Sequence, residues 1–320
     1  MLAAYLRSFF MRIVALAFVG TLLAFPALAQ GPASDEAILN ARTREQVASF
    51  VQPTNAARAE AAMALIRAAG FEPQVETFEG GNRQTGPMEG RNITFQVAGV
   101  ADIEDAPEPI LLVAHYDAVT LDSGRLADGV IDNAGSVVAV IQAAEHLRNQ
   151  HLGRDVQVIL FDQEELGLIG ARKWIEAHGI DNVAAVVNSD VAAYGDTMMY
   201  GQNNGPQSAV VTRVVQTMCV ELALTCIGFP VYPPSDDRAF SAAGAPVVSL
   251  GFQDRIGAHQ MWLAFNGGRP NGLAEDFVPA VFQRIHSEGD TLEHLDPATV
   301  RTAARTYAEI IKALDGVLTR

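Results

Sequence analysis

The stretch Ile110-Leu111-Leu112-Val113-Ala114-His115-Tyr116-Asp117 decides the fold. An apolar run follows Pro109 and ends abruptly in polar residues, a pattern typical of a strand buried on both faces of a parallel sheet. His115 and Asp117 then lie at the carboxyl end of this strand. Because ligands bind beyond the carboxyl ends of strands in open α/β sheets, the functional site is predicted at this edge of the sheet.

The same pattern recurs twice further along the chain. The apolar run at residues 156–161 is followed by Glu164 and Glu165, and the run at residues 183–187 is followed by Asp190. The carboxyl ends of parallel strands meet at one edge of a sheet. We therefore expect these acids to converge with His115 rather than to be scattered surface charges.

The neighbours of these strands add further candidates. Asp132 precedes an apolar run at residues 137–147 that is long enough for a helix packed on the sheet, so an ordinary N-cap is the alternative to a functional role. Glu164 and Glu165 are adjacent and cannot point the same way. This suits an arrangement in which one glutamate binds a metal and the other transfers protons. His286 supplies a second imidazole, although by itself it would be interpreted as a hydrogen-bonded loop histidine.

Together these segments resemble the co-catalytic zinc aminopeptidases of peptidase family M28. The resemblance covers most of the chain after about residue 56 and follows the order of the family's motifs. The matching segments are His115-Tyr116-Asp117, Asp132-Asn133, residues 161–170, Asn188-Ser189-Asp190, Ser235-Asp236, and His286 with Asp290-Thr291.

The resemblance implies a role for each matching residue. Asp132 would bridge two zinc ions. His115 and Asp190 would complete one site, and Glu165 and His286 the other. Glu164 would be the general base, and Asp117 would orient His115. All of these residue types are present, so the motifs give no sign of an inactive descendant.

The donor set supports zinc on chemical grounds as well. Two imidazoles and three carboxylates are borderline-to-hard ligands that suit zinc and leave room for a water molecule. In two-metal sites the ions lie about 3.5–4 Å apart and stabilise both the attacking and the substrate oxygen. Water bound to zinc has a pKa of about 7 in favourable sites and becomes a usable nucleophile. The expected cofactor is therefore two Zn²⁺ ions per chain, and the expected substrates are peptides.

Three residues are candidates for contacting the substrate. Tyr232 is a candidate donor to the scissile carbonyl, with a packed loop tyrosine as the alternative. The family commonly has a histidine after Ser-Asp, whereas this chain has Asp237-Arg238. Arg238 could form a bidentate ion pair with the terminal carboxylate of a substrate, which would favour carboxypeptidase activity. The alternative is a solvated helix residue. His259 lies in a segment expected to be a Gly-rich loop lining a substrate pocket, next to Trp262, which is expected in the core.

The amino-terminal residues indicate export. Arg7 and Arg12 precede an apolar stretch at residues 13–25 and the small-residue pattern at residues 26–29, which together are typical of a secretory signal peptide. The apolar stretch is shorter than the roughly 20 residues that a membrane span needs. We expect residues 1–29 to be removed, leaving a secreted or periplasmic protein without a stable membrane anchor.

Residues 30–320 are expected to form a single zinc peptidase catalytic domain, since no linker or repeat appears. Helices are predicted at residues 55–69, 136–148, 170–177, 208–222 and 297–318, and the strands at residues 74–78 and 92–97 as an antiparallel edge. The predicted fold class is α/β, a three-layer sandwich with a mixed, mostly parallel central sheet and helices on both faces.

The net charge indicates which classes of partner the protein can bind, and the cysteines indicate a disulfide. The formal net charge is -15, which argues against a nucleic acid because affinity there depends on basic phosphate contacts. An acidic site would attract the cationic amino termini of peptides. Cys219 and Cys226 are the only cysteines, and in an exported protein such a pair suggests a disulfide, with two buried thiols as the alternative.

The leading hypothesis is an exported metallopeptidase that releases amino-terminal residues with two zinc ions. A carboxypeptidase and a single-zinc glutaminyl cyclase on the same fold are the enzymatic alternatives. A receptor-like binding domain without turnover is the alternative of a different class. The sequence does not specify an oligomeric state.

Overall fold

The computed structural model describes residues 34–100, 107–268 and 270–319. One sheet of eight strands organises these residues. The strands are β1 (Gln74–Gly80), β2 (Met88–Val97), β3 (Ile110–His115), β4 (Val156–Phe161), β5 (Ala185–Ser189), β6 (Thr197–Gly201), β7 (Thr225–Phe229) and β8 (Val247–Gln253). The predicted signal peptide, residues 1–29, lies outside the described residues.

The sheet is mixed, with the strand order β1-β2-β4-β3-β5-β8-β6-β7. β3 runs parallel to both β4 and β5 at its centre, and β5 runs parallel to β8. β1 and β2 form the antiparallel edge expected from the sequence. In this register His115 pairs with Phe161, so β3 and β4 end side by side and deliver their polar residues to the same edge.

Helices cover both faces of this sheet and confirm the predicted three-layer α/β class. The helices are α1 (Asp35–Ala48), α2 (Asn55–Ala68), α3 (Gly135–Leu147), α4 (Ile169–His178), α5 (Ala209–Glu221), α6 (Asp237–Ala243), α7 (Arg255–Asn266), α8 (Ala280–Arg284) and α9 (Pro297–Leu318). None of the described helices combines the length and the apolarity needed to span a membrane.

Strand β3 shows how its apolar sequence builds two separate cores. Ile110, Leu112 and Ala114 pack in the larger core, under the face that carries α2, α3, α5 and α9. Leu111 and Val113 point the other way, into a smaller core with α4 and α6. Successive strand residues point to opposite faces, so an uninterrupted apolar run is what a strand covered on both sides requires.

Local signals fix the helix ends close to their predicted positions. The hydroxyl of Thr54 accepts the backbone N–H of Ala57 at the start of α2, and Asp296 caps α9 with Pro297 in the first turn. The five predicted helices begin and end within one residue of those observed.

The far edge of the sheet differs from what the sequence suggests. β6 was not predicted, and it runs antiparallel to β8. β5 lies two residues later than predicted, which places Asp190 directly after the strand. Cys219 in α5 and Cys226 in β7 form a disulfide beside this edge.

Candidate metal centre

His115 is the last residue of β3, and its side chain is buried. Its Nδ1 lies 3.4 Å from Oδ1 of Asp117, and its Nε2 lies 3.2 Å from Oδ1 of Asp132. Burial opposes a charged ring, but the surrounding carboxylates, led by Glu164, raise the pKa of His115 well above its usual value. The imidazole is therefore buried among several carboxylates that favour its charged form.

Asp117 connects the ends of β3 and β4. Its Oδ1 accepts the backbone N–H of Glu164 at 3.1 Å, and its Oδ2 accepts that of Glu165 at 3.2 Å. The distance to His115 is longer than a usual hydrogen bond. The carboxylate therefore positions both the backbone of the two glutamates and the neighbouring imidazole.

The two adjacent glutamates enter different groups of potential ligands. Glu164 lies with His115 and Asp190, whereas Glu165 lies with Asp132 and His286. Burial raises the pKa of Glu164 well above its usual range and the pKa of Glu165 to about 7. The side chains of Glu164 and Glu165 therefore point to different groups, as expected for adjacent residues, which cannot point the same way.

Asp132 belongs to the second of these groups and also faces His115 of the first. It belongs to the turn Val130–Ala134, in which Asp132 and Asn133 have non-helical backbone angles, and α3 begins three residues later at Gly135, so Asp132 is not the N-cap of that helix. Its Oδ1 faces Nε2 of His115 at 3.2 Å, and its Oδ2 faces Nε2 of His286 at 3.1 Å. Although burial opposes it, the two imidazoles lower the pKa of the Asp132 carboxyl well below its usual range.

Asp190 follows β5, and its Oδ1 lies 3.8 Å from Nε2 of His115. The side chain of Asn133 binds the backbone on both sides of Asp190. The Asn133 amide donates to the carbonyl of Ser189 at 3.1 Å, and its oxygen accepts the N–H of Val191 at 3.0 Å. A neighbour of Asp132 therefore fixes the position of Asp190.

His286 lies just after α8, and its side chain is 52% exposed. Its Nε2 is 3.0 Å from Oε2 of Glu165 and 3.1 Å from Oδ2 of Asp132. Hydrogen bonds to these two carboxylates raise the pKa of His286 to about 11. The structure therefore brings this distant histidine together with ligand candidates from β4 and from the start of α3.

Backbone strain is concentrated at the same place. Among the described non-glycine residues, the left-handed region is occupied by Gln163, Leu168, Val191, Ala223 and His286. All but Ala223 belong to the segments that carry Glu164, Glu165, Asp190 and His286. Val191 is β-branched, for which a φ of 62° is a genuine outlier. Such strain persists only where the surrounding structure enforces it, and it clusters at functional sites.

The donor atoms fit zinc in type and spacing. Within each of the two groups, one nitrogen or oxygen atom from each member lies within 4.8 Å of the others. Ligands at about 2.0–2.2 Å from one zinc ion lie at most about 4.4 Å apart, so small side-chain shifts would close either set. Oε1 of Glu165 is also buried without a hydrogen-bond partner. The residues present could therefore hold two ions, with Asp132 between them.

A cavity of about 300 Å³ opens over these donors. Its polar floor is formed by His115, Asp132, Glu164, Glu165, Asp190 and His286. Its apolar walls include Met199, Tyr232, Met261, Phe265, Val281, Phe282 and Ile285. No lysine or arginine of the described residues lines it. The site therefore pairs an acidic floor with apolar walls.

Of the three candidate substrate contacts, only Tyr232 lines this cavity. Burial raises the pKa of its hydroxyl well above the usual value, so it stays a protonated donor. Arg238 does not line the cavity. Its guanidinium donates to the carbonyls of Asn203 at 3.1 Å and Tyr232 at 3.0 Å. Arg238 therefore directs two of its nitrogens to backbone carbonyls, and its contact with a substrate carboxylate stays a prediction.

His259 also lies away from the cavity. The segment predicted as a Gly-rich loop is helix α7, and His259 is on its exposed side with Nδ1 2.8 Å from the carbonyl of Arg255. Met261 lines the cavity instead, because it points inward from the same helix. Trp262 packs against the core as expected and donates to the carbonyl of Gly228.

Two supporting residues received no role from the sequence. Asn133 holds the segment around Asp190, and Asp290 accepts the N–H groups of Ile131 at 2.6 Å and Asp132 at 3.1 Å. Both lie inside the motifs that carry the family resemblance. Their closeness in sequence to the ligand candidates could have suggested a supporting role. Their hydrogen bonds could not be predicted, because the partners lie in distant parts of the sequence that meet only in the folded protein.

Comparisons with known proteins agree with this geometry. The model of peptidase family M28 matches residues 95–311. A probable lipoprotein aminopeptidase, LpqL, from Mycobacterium tuberculosis is 29% identical over 226 residues, covering 62% of this chain and 43% of the relative. Carboxypeptidase Q from Rattus norvegicus is 22% identical over 208 residues, covering 64% of this chain and 38% of the relative. The chain thus spans about two fifths of the length of these curated relatives.

A solved structure extends the likeness in fold. The zinc aminopeptidase BSAP from Bacillus subtilis superposes with a TM-score of 0.67 at 12% identity, covering 85% of this chain and 94% of that one. At this identity the likeness concerns the fold alone. The family match extends over most of the described sheet, from β2 to α9, and includes every candidate ligand. The chain therefore belongs to peptidase family M28.

Proposed function

We propose that this protein is an exported aminopeptidase that hydrolyses peptide bonds with two zinc ions. One observation carries the proposal. The two carboxylate oxygens of Asp132 face two different histidines, at 3.2 Å for His115 and 3.1 Å for His286. A carboxylate placed in this way between two imidazoles is arranged to share its oxygens between two ions.

The remaining ligands are assigned by their positions around Asp132. His115 and Asp190 would hold one ion, and Glu165 and His286 would hold the other. Zinc ions in such a pair polarise a carbonyl oxygen and acidify a water molecule. Asp117 fixes the positions of Glu164 and Glu165 relative to His115, because it accepts a hydrogen bond from the backbone N–H of each glutamate.

Glu164 is the proton carrier in this proposal. Burial raises the pKa of its carboxyl well above the usual range. A carboxyl group beside the attacking water can take a proton from it and pass that proton to the leaving amine. Tyr232 supplies a hydroxyl donor at the cavity wall that can hold the scissile carbonyl in place.

The charge of the cavity favours the amino terminus as the anchored end of the substrate. No lysine or arginine of the described lining offers an ion-pair partner for a terminal carboxylate. Its apolar walls suit an apolar side chain at the first residue of the substrate. These features argue against a carboxypeptidase.

Export is part of the same proposal. Residues 1–29 are expected to be a signal peptide, with residues 30–320 as one catalytic domain in the secreted or periplasmic space. The disulfide between Cys219 and Cys226 supports this placement, because such bonds persist in oxidising compartments. The similarity to a probable lipoprotein aminopeptidase supports it as well.

A substrate panel tests the proposed activity. The zinc-loaded protein is assayed on matched peptides with a free or acetylated amino terminus, with a free or amidated carboxyl terminus, and with amino-terminal glutamine. The proposal predicts cleavage that acetylation abolishes and amidation leaves intact. Dependence on the free carboxyl terminus would instead identify a carboxypeptidase, loss of ammonia from the glutamine peptide a cyclase, and no turnover of any peptide a receptor-like binding domain.

A further inference from the structure

Arg58, in the first turns of α2, is the largest fully buried side chain among the described residues. A buried cation is costly unless its charge and its donors are satisfied. Burial lowers the pKa of Arg58 to about 10, and the nearby carboxylates of Asp117, Asp290, Asp132 and Glu165 oppose this change. Arg58 therefore stays charged at neutral pH beneath the acidic floor of the cavity.

The guanidinium uses its donors on backbone carbonyls. It bonds to Tyr116 at 2.6 Å, Phe50 at 2.8 Å, Asp128 at 2.8 Å and Gly129 at 3.2 Å. Tyr116 lies between His115 and Asp117, and Gly129 directly precedes the turn Val130–Ala134 that carries Asp132. One side chain thus holds both ends of the segment that joins the first two ligand candidates.

Gly129 shows how closely the guanidinium approaches this backbone. A Cβ at position 129 would lie 3.0 Å from Nη1 of Arg58 and 2.9 Å from the carbonyl oxygen of Asp132. Its φ of +57° also favours glycine. The backbone leading to Asp132 is therefore packed directly against Arg58, with no side chain between them.

Asn55, the first residue of α2, holds the same segment at a second point. Its amide donates to the carbonyl of Ala118 at 3.1 Å, and its oxygen accepts the N–H of Ala118 at 3.0 Å. Residues three apart on a helix lie on the same face, so Asn55 and Arg58 approach the segment together.

We propose that α2 is a positioning element for the metal centre, in which Arg58 and Asn55 hold residues 116–129 so that His115 and Asp132 stay at the spacing two zinc ions require. This inference rests on the proposed two-zinc function. It assigns these residues to metal affinity rather than to substrate contact. Residues that orient ligands typically change metal affinity about 10- to 100-fold when they are replaced.

The test compares Arg58→Lys and Asn55→Ala with the unaltered protein. Zinc affinity of the metal-free proteins is measured by competition with a chromophoric chelator, and the visible spectrum of the cobalt-substituted proteins reports ligand geometry. Lysine keeps the charge but cannot reach four carbonyls. We expect zinc to bind about 10- to 100-fold more weakly to Arg58→Lys, with a smaller loss for Asn55→Ala and an altered cobalt spectrum in both.

Arg154→Lys is the matched control. Arg154 is also buried and also donates to backbone carbonyls, those of Glu108 and Leu318 at 2.8 Å each, but it does not line the cavity. We expect this variant to lose thermal stability while keeping unaltered zinc affinity and the unaltered cobalt spectrum. The control separates loss of a buried arginine from loss of the positioning contacts.

The outcomes are distinct for the two claims. Failure of the unaltered protein to bind zinc would overturn the proposed function itself. Unaltered zinc affinity and cobalt spectrum in both Arg58→Lys and Asn55→Ala, with zinc bound by the unaltered protein, would overturn only the positioning role. If Arg58→Lys does not fold, Asn55→Ala decides, because that side chain is only half-buried.

Discussion

Oδ1 of Asp132 lies 3.2 Å from Nε2 of His115. The two residues come from different parts of the fold, the end of β3 and the turn before α3, and their contact places a carboxylate at the centre of the site. The opposite oxygen of the same carboxylate faces His286. The sheet thus positions the carboxylate that the proposed two-zinc chemistry requires. The role of each residue around it can be tested by substitution.

Glu164→Gln should abolish most of the peptidase activity without removing the metal. Glutamine matches the shape of glutamate but cannot take up a proton, and loss of a general base typically costs about 100- to 10,000-fold in rate. We expect kcat to fall by this range while the zinc content matches that of the unaltered protein. Activity within threefold of the unaltered protein would contradict the role of Glu164.

Asp117→Asn should weaken both catalysis and zinc binding. The amide has one acceptor oxygen in place of two, so one of the backbone N–H groups of Glu164 and Glu165 loses its partner. We expect metal affinity to fall about 10- to 100-fold and stability to fall by about 1–3 kcal/mol, measured by chelator competition and denaturant unfolding.

Asp315→Asn is the control for that variant. Asp315 also accepts two consecutive backbone N–H groups, those of Gly153 at 2.8 Å and Arg154 at 2.9 Å, away from the cavity. A similar loss of stability with unaltered zinc affinity is expected. Equal losses of zinc affinity in both variants would mean that Asp117 acts only through general stability.

Arg238→Ala tests the direction of cleavage. Because Arg238 donates to the carbonyls of Asn203 and Tyr232, its removal should lower stability by about 1–3 kcal/mol. The ratio of kcat/KM for peptides with free and amidated carboxyl termini should not change. A selective loss on the peptides with a free carboxyl terminus would show that Arg238 binds substrate after all.

Zinc binding at pH 7 should release protons. Facing carboxylates raise the pKa of His286 to about 11, and the pKa of His115 is also raised, so both rings are charged without metal. Zinc binds only neutral imidazole and ionised carboxylate, and the pKa of Glu165 is raised to about 7. At least two protons therefore leave per chain, and affinity falls as the pH is lowered. Calorimetry in two buffers with different ionisation enthalpies measures this release. Equal apparent enthalpies in both buffers would contradict the expected protonation.

The central sheet and the ligand candidates could be predicted because their signals are local. The run from Ile110 to Ala114 is apolar because both faces of β3 are covered, and each polar strand end is visible directly after its strand. β6, with the sequence Thr197-Met198-Met199-Tyr200-Gly201, lacks the branched aliphatic residues that marked β3, β4 and β5. Its antiparallel course beside β8 depends on tertiary pairing.

The supporting residues could not be predicted because their contacts are long-range. Arg58 resembles a solvated helix arginine in the sequence, and only the fold shows that it lies beneath residues 116–129. The contacts that Arg238 and His259 make could not be predicted for the same reason. Their surroundings depend on how α6 and α7 pack, and a nearby glycine in the sequence of α7 suggested a loop.

The central claim is that the site holds two zinc ions, and metal content tests it most directly. The purified protein is stripped with a chelator, titrated with zinc, and analysed for bound metal after removal of the excess, with circular dichroism to verify the fold. We predict about two equivalents of tightly bound zinc per chain, as two-metal sites of this kind require. A folded protein that binds a single equivalent, or none, would contradict the proposed arrangement around Asp132.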